Sequence, residues 1–114
     1  MTSRDLGHLQ DIHQACMDIL KFTQDHTHEH FIADDMVQGA VIYKILIIGE
    51  ATNRLSTELK SLYTQIPWGQ IIGARNRLIH QYHDFDIDVV WNMVSRSIPE
   101  LLNQITTIIE QEKQ

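Results

Sequence analysis

Apolar residues recur at three- and four-residue steps along nearly the whole chain, and no stretch shows the two-residue alternation of a half-buried strand. Leu6, Leu9, Ile12, Cys16, Ile19 and Leu20 mark a first helix. Thr2 or Ser3 can cap it, Asp5 stands in its first turn, and the pattern fades near Gln24. The string Asp25-His26-Thr27-His28-Glu29-His30 then breaks the period and predicts a polar connection. A second helix is expected from Asp34 or Asp35 to Leu59, on Met36, Val37, Ala40, Val41, Ile45, Ile48, Ala51, Leu55 and Leu59. Its middle is apolar nearly all round, which implies burial on several sides or a subunit interface.

Pro67 suits the first turn of a helix, because its missing N–H is one that the helix start leaves unbonded anyway. Helix three is therefore expected to start around Ile66 to Trp68 and to run to about His83. Asp84-Phe85-Asp86 reads as a turn, with Asp86 capping a fourth helix on Ile87, Val90, Trp91, Val94, Ile98, Leu101, Leu102, Ile105, Ile108 and Ile109. Pro99 falls inside that pattern, and since the apolar period continues beyond it, a kink is expected rather than an end. The result is an all-α fold: an antiparallel four-helix bundle with a kinked last helix. At 114 residues the chain is the size of one domain, so residues 1–114 are read as a single unit.

Composition narrows the setting. The single cysteine, Cys16, can neither close an intrachain disulfide nor build a zinc cage alone, and the sequence opens without a basic-then-apolar leader. The most apolar run, between Ala40 and Gly49, is interrupted by Lys44 and too short to span a bilayer. A cytoplasmic protein without membrane association is expected. The formal charge of -6 argues against broad affinity for nucleic acid. From Ile66 to His83, however, there are two arginines, two histidines and no carboxylate. Two such segments brought together would form a local positive cleft on an acidic protein.

That segment also carries the densest chemistry. Arg75, Asn76, Arg77, His80 and Tyr82 place guanidinium, amide, imidazole and phenol groups within eight residues of the third helix. At about 100° per residue, Arg75 and Tyr82 share one stripe, while Asn76, His80 and His83 share the adjacent one. An imidazole with an ordinary pKa of about 6.5 serves as acid or base near neutrality. A guanidinium grips a phosphate through two parallel hydrogen bonds. The plainer reading of the same residues is the solvated side of an amphipathic helix.

The spacing R-x4-H-x-Y on Arg75, His80 and Tyr82, with polar Asn76 after the arginine, resembles the ribonuclease motif of the HEPN superfamily, and in particular its HepT-like toxins. Ile48-Gly49-Glu50-Ala51 in the second helix, Ile66-Pro67-Trp68 opening the third and Phe85-Asp86 entering the fourth add to the resemblance, in that order along the chain. It implies a homodimer whose motif helices face each other around a shared cleft. The two copies of His80 would act as acid and base, and the two copies of Arg75 would hold phosphate. The implied reaction is metal-independent endoribonuclease cleavage of mRNA or tRNA, leaving a 2′,3′-cyclic phosphate, and no cofactor is implied. Asn76 would orient His80 or donate to a phosphate oxygen. Tyr82 matches the tyrosine to which an MntA-type nucleotidyltransferase antitoxin transfers AMP, silencing the toxin.

Other residues leave alternatives open. Arg77 reaches RNA or is merely solvated. Glu50 bonds to the motif helix across a dimer or points to water. His26, His28 and His30 form a solvated loop or an adventitious metal site. At the level of the whole chain, a non-catalytic HEPN module that binds a nucleotidyltransferase or a nucleotide is the alternative to the enzyme, and a helical dimer without ligand is a third reading.

Overall fold

The computed structural model describes residues 2–81 and 84–113, and these are helical without strands. The elements are α1 (Ser3–Thr23), α2 (His28–Ile32), α3 (Asp35–Arg54), α4 (Thr57–Leu62), α5 (Trp68–His80) and α6 (Ile87–Asn92), then a π-helical turn (Met93–Ser97) that leads into α7 (Ile98–Glu112). α3 is central, packing on both α1 and α5, while α1 also packs on α7. One continuous core runs through the bundle from Leu9, Ile12 and Ile19 through Val41 and Ile48 to Val90, Ile105 and Ile108.

Cross-links at the two ends set the helix directions. At one end the start of α1 meets the end of α3, where Asp5 accepts hydrogen bonds from Ser56 N (2.9 Å) and Ser56 Oγ (2.7 Å). At the same end Tyr63 Oη donates to Glu112 at 2.9 Å, and the Trp68 indole donates to the carbonyls of Lys60 and Tyr63. α4, the start of α5 and the end of α7 are thereby held together. At the opposite end, Phe31 of α2 stacks on Trp91 of α6 with ring centroids 5.1 Å apart, and His28 pairs with Asp88 at 2.7 Å. The four long helical segments therefore run alternately, as the apolar pattern implies.

Boundaries differ from the sequence reading in three places. The second helix does not continue to Leu59 but stops at Arg54; Leu55 is extended, and Ser56 caps α4 by accepting from Leu59 N at 3.1 Å. Leu55 and Leu59 are both buried, so the apolar spacing carries across the break and conceals it. The polar connection contains α2, started by Thr27, whose side chain accepts from His30 N, and anchored by the fully buried Phe31. The third helix ends at His80, with Gln81 as its C-cap; His83 lies outside the described residues.

The distortion expected at Pro99 takes a specific form. Proline offers no N–H to the residue four before it, and the helix widens just upstream so that Ile98 N bonds to Met93 O, five residues back. Asp86 caps the segment as expected, accepting from Asp88 N at 2.9 Å. Cys16 lies in the core, where burial pushes its thiol up to about 12, well away from any role as a nucleophile. Among the described residues no helix is long and apolar enough to cross a membrane.

Asp5 is only 3% exposed. Burial pushes its carboxyl up, but the side-chain and backbone bonds from Ser56 and the bond from Thr2 outweigh that and hold it below its ordinary 3.8. A lowered native pKa stabilises the fold above the unfolded value, and that stability is lost as pH falls through the native one. Asp5→Ala should cost about 2–3 kcal/mol at neutral pH, since it strands Ser56 N–H. Urea melts of both proteins should converge at acid pH, where the wild-type carboxylate is protonated; a constant gap down to pH 2 would contradict this assignment.

Candidate active site

α5 begins where the chain turns at Pro67, whose carbonyl accepts from Gln70 N and Ile71 N at 3.0 and 3.1 Å. The buried Trp68 anchors this first turn through its indole bonds to the end of α4. Leu78 faces the core, whereas Asn76, Arg77, Ile79 and His80 are exposed. The register of α5 therefore directs most of the motif outward and turns Arg75 toward α3.

Contact between the two helices depends on Gly49. A Cβ at this position would fall inside the Cβ and Cγ of Arg75, so only glycine lets the α5 arginine lie against the α3 backbone. Immediately after it, Glu50 accepts from Arg75 Nη2 at 2.9 Å through one carboxylate oxygen and from Arg54 Nε at 3.0 Å through the other. Arg75 Nη1 donates to Asn76 Oδ1 at 2.8 Å. The Arg75 side chain is 29% exposed, Glu50 40% and Arg54 63%, so the bridged group sits at the surface with the guanidinium of Arg54 outermost.

Within one chain the residues left open by the sequence take definite places. Glu50 bonds to the motif helix within its own chain. Asn76 lies on Arg75 rather than on His80. Arg75 and His80 are about 140° apart around α5 at about 100° per residue, so they share the helix without sharing a face. Arg77 falls on the far side, lining a groove of about 350 Å³ between α5 and the last helix with Ile71, Met93 and Leu101. It is separated from the Glu50–Arg75 cluster by the helix itself. Tyr82 lies outside the described residues.

The histidines of the α2 region serve the fold. His26 pairs with Asp34 at 3.1 Å, His28 with Asp88, and among the described residues no three potential ligands converge on a metal position. Sequence reasoning passed over two residues near Arg75. Arg54 and His8 line an open hollow of about 500 Å³ together with Tyr43, Glu50, Arg75 and Ile79. Arg54 had a legible signal in its i+4 spacing from Glu50. His8 had none, since its placement depends on how α1 docks on α3.

A profile of the family described as "Ribonuclease HepT-like" matches residues 12–108. A protein of Methanocaldococcus jannaschii named "Putative RNase MJ1380" is 31% identical over 109 residues, covering 95% of this chain and 100% of its own. "Putative RNase MJ0125" from the same organism is 35% identical over 96% of both chains. "Probable ribonuclease HepT" of Thermococcus cleftensis is 38% identical over 82% of this chain and 86% of its own. No solved structure matches.

Gly49→Ala should separate α3 from α5, because the added methyl meets the stem of Arg75 and the adjoining core is close-packed. The expected loss is about 1–3 kcal/mol, as for other overpacked positions. Combining it with Arg75→Gly, which removes the opposing stem, should make the alanine nearly silent in a thermal-melt double-mutant cycle. Equal costs of the alanine in both backgrounds would show that the contact does not govern the packing.

Proposed function

Because this chain belongs to the HepT-like ribonuclease family, we propose that it is a metal-independent endoribonuclease and the toxin subunit of a toxin–antitoxin pair. The observation that carries the reading is the fixed Arg75, gripped by Glu50 and Asn76 on a helix where Asn76, Arg77 and His80 stand exposed. An immobilised guanidinium with unused N–H groups is suited to a phosphate whose charge grows in the transition state. His80, at the exposed end of α5, supplies the imidazole that carries the proton.

RNA brings its own nucleophile. One imidazole removes the 2′-hydroxyl proton, the oxygen attacks the adjacent phosphorus, and the 5′-oxygen leaves with a proton from a second imidazole, giving a 2′,3′-cyclic phosphate. One chain offers one His80, so the reading requires a homodimer with the two motif helices opposed. The surface of α5 suits that arrangement: a Cβ at Gly69 or Gly73 would meet nothing, and Ile79 is 40% exposed beside the motif. Asn76 is assigned to holding Arg75, and Arg77, on the other side of α5, to a peripheral contact with the RNA strand.

Regulation follows the motif. Tyr82 is proposed as the acceptor of AMP from an MntA-type nucleotidyltransferase antitoxin: the phenolic oxygen attacks the α-phosphorus of ATP and pyrophosphate leaves. Each AMP adds an anion and a bulky base two residues after His80 in the sequence, opposing the substrate by charge and by volume. The target is messenger or transfer RNA.

Expression of the wild-type chain without its partner should arrest bacterial growth and produce new cyclic-phosphate RNA ends, and His80→Ala should do neither while keeping the same oligomeric state. Purified enzyme should keep its activity in EDTA. Soluble, dimeric wild-type protein that leaves RNA intact would favour the binding module. Tyr82→Phe should remain toxic when the active antitoxin is present; neutralisation of that variant would remove Tyr82 from the regulatory step.

A further inference from the structure

Glu50 uses its two carboxylate oxygens on two different arginines, one from each helix. Arg75 answers the motif; Arg54, the last residue of α3, belongs to none. A surface i,i+4 pair between Glu50 and Arg54 would by itself contribute little to helix stability. Its geometry is more informative than its energy. Arg54 meets the carboxylate through Nε, its side chain is 63% exposed, and its terminal nitrogens have no hydrogen-bond partner among the described residues. Arg54 and Arg75 line the same hollow, with His8, Tyr43 and Asp11 around them. The charged side chains lining this hollow are those two guanidiniums against Glu50 and Asp11. Lys44, the nearest lysine along this part of α3, is engaged by Asp18 at 2.9 Å.

An RNA strand entering the site carries a phosphate on either side of the one being cleaved. A single arginine per chain grips one phosphate, and a strand needs further cations to be held in register. We propose that Arg54 is a second phosphate subsite, taking the phosphodiester next to the scissile one, and that Glu50 is the positioning residue that holds both guanidiniums on its two carboxylate oxygens. The identity of the ligand as RNA rests on the ribonuclease reading; the pairing of two cations on one carboxylate does not.

The test uses the full-length protein and an uncleavable 2′-O-methyl RNA strand, with binding measured over a range of salt concentrations. A dinucleotide with a single phosphodiester serves as control. Arg54→Ala should weaken strand binding several-fold and flatten the plot of log affinity against log salt by about 0.7, the contribution of one phosphate contact on a single strand. It should weaken dinucleotide binding far less than strand binding, and Arg54→Lys should restore most of the slope. An unchanged slope in Arg54→Ala, or an equal loss on the dinucleotide, would overturn the subsite. Glu50→Gln separates positioning from bulk charge. Removing an anion should tighten RNA binding if only net charge matters, whereas loss of positioning should weaken the strand and lower kcat; tighter binding would overturn the role of Glu50. A wild-type protein that binds the strand through Arg54 but cleaves no unmodified RNA would end the nuclease reading and leave the subsite standing. Failure of the wild type to bind the strand at all would overturn the subsite whatever the cleavage result.

Discussion

The close approach of α5 to α3 over Gly49 is the constraint from which the candidate site follows. It exists because one residue lacks a Cβ at the point where the Arg75 stem crosses the α3 backbone. With the helices that close, the residue after the glycine is within reach of the guanidinium, and Glu50 closes a charge-assisted hydrogen bond. The string Ile48-Gly49-Glu50-Ala51 thereby gains a physical meaning. Ile48 and Ala51 are core residues, Gly49 provides clearance and Glu50 provides the grip.

Energetics support a positioning role over a stabilising one. Half-exposed ion pairs contribute little to folding, since water and salt screen them and long side chains lose freedom on pairing. Stability of the bundle comes from the continuous aliphatic core and from the buried cross-links at its ends, such as Asp5 with Ser56 and Trp68 with the carbonyls of α4. These cross-links fix where α5 starts, and through the helical repeat they fix which way Arg75 points. An arginine that is already immobilised loses less entropy when phosphate arrives than a free one. The same logic applies to Arg54, whose orientation is set by Glu50 one turn earlier.

Irregularities in the bundle fall where the sequence offers local chemistry that competes with a continuous helix. Ser56 has a better use for its hydroxyl as a cap than as an interior residue, and Asp5 from another helix rewards that choice. Pro99 withholds a hydrogen bond and the backbone compensates by one wider turn. The widened turn, through Met93 and Ser97, lines the groove between α5 and the last helix.

The order of the long helical segments and most of the core could be read from the sequence, because the apolar period is a local property that each long helix displays alone; the short α2 and α4 could not. Thr2, Asp86 and Pro67 announced starts for the same reason: capping depends on neighbours in sequence. The break at Leu55 was hidden, since Leu55 and Leu59 keep the helical spacing across it and only the docking of Asp5 on Ser56 makes the interruption favourable. The motif on α5 was likewise legible as a list of groups. Which of them share a site was not. That Glu50 grips Arg75, that Asn76 serves the arginine and that Arg77 lies on the opposite side of the helix depend on the rotation of α5 against α3. Sequence periodicity assigns each helix a buried face but not its angular register against a neighbour; a glycine that admits one arginine stem sets that register, and it does so only once the two helices are packed together.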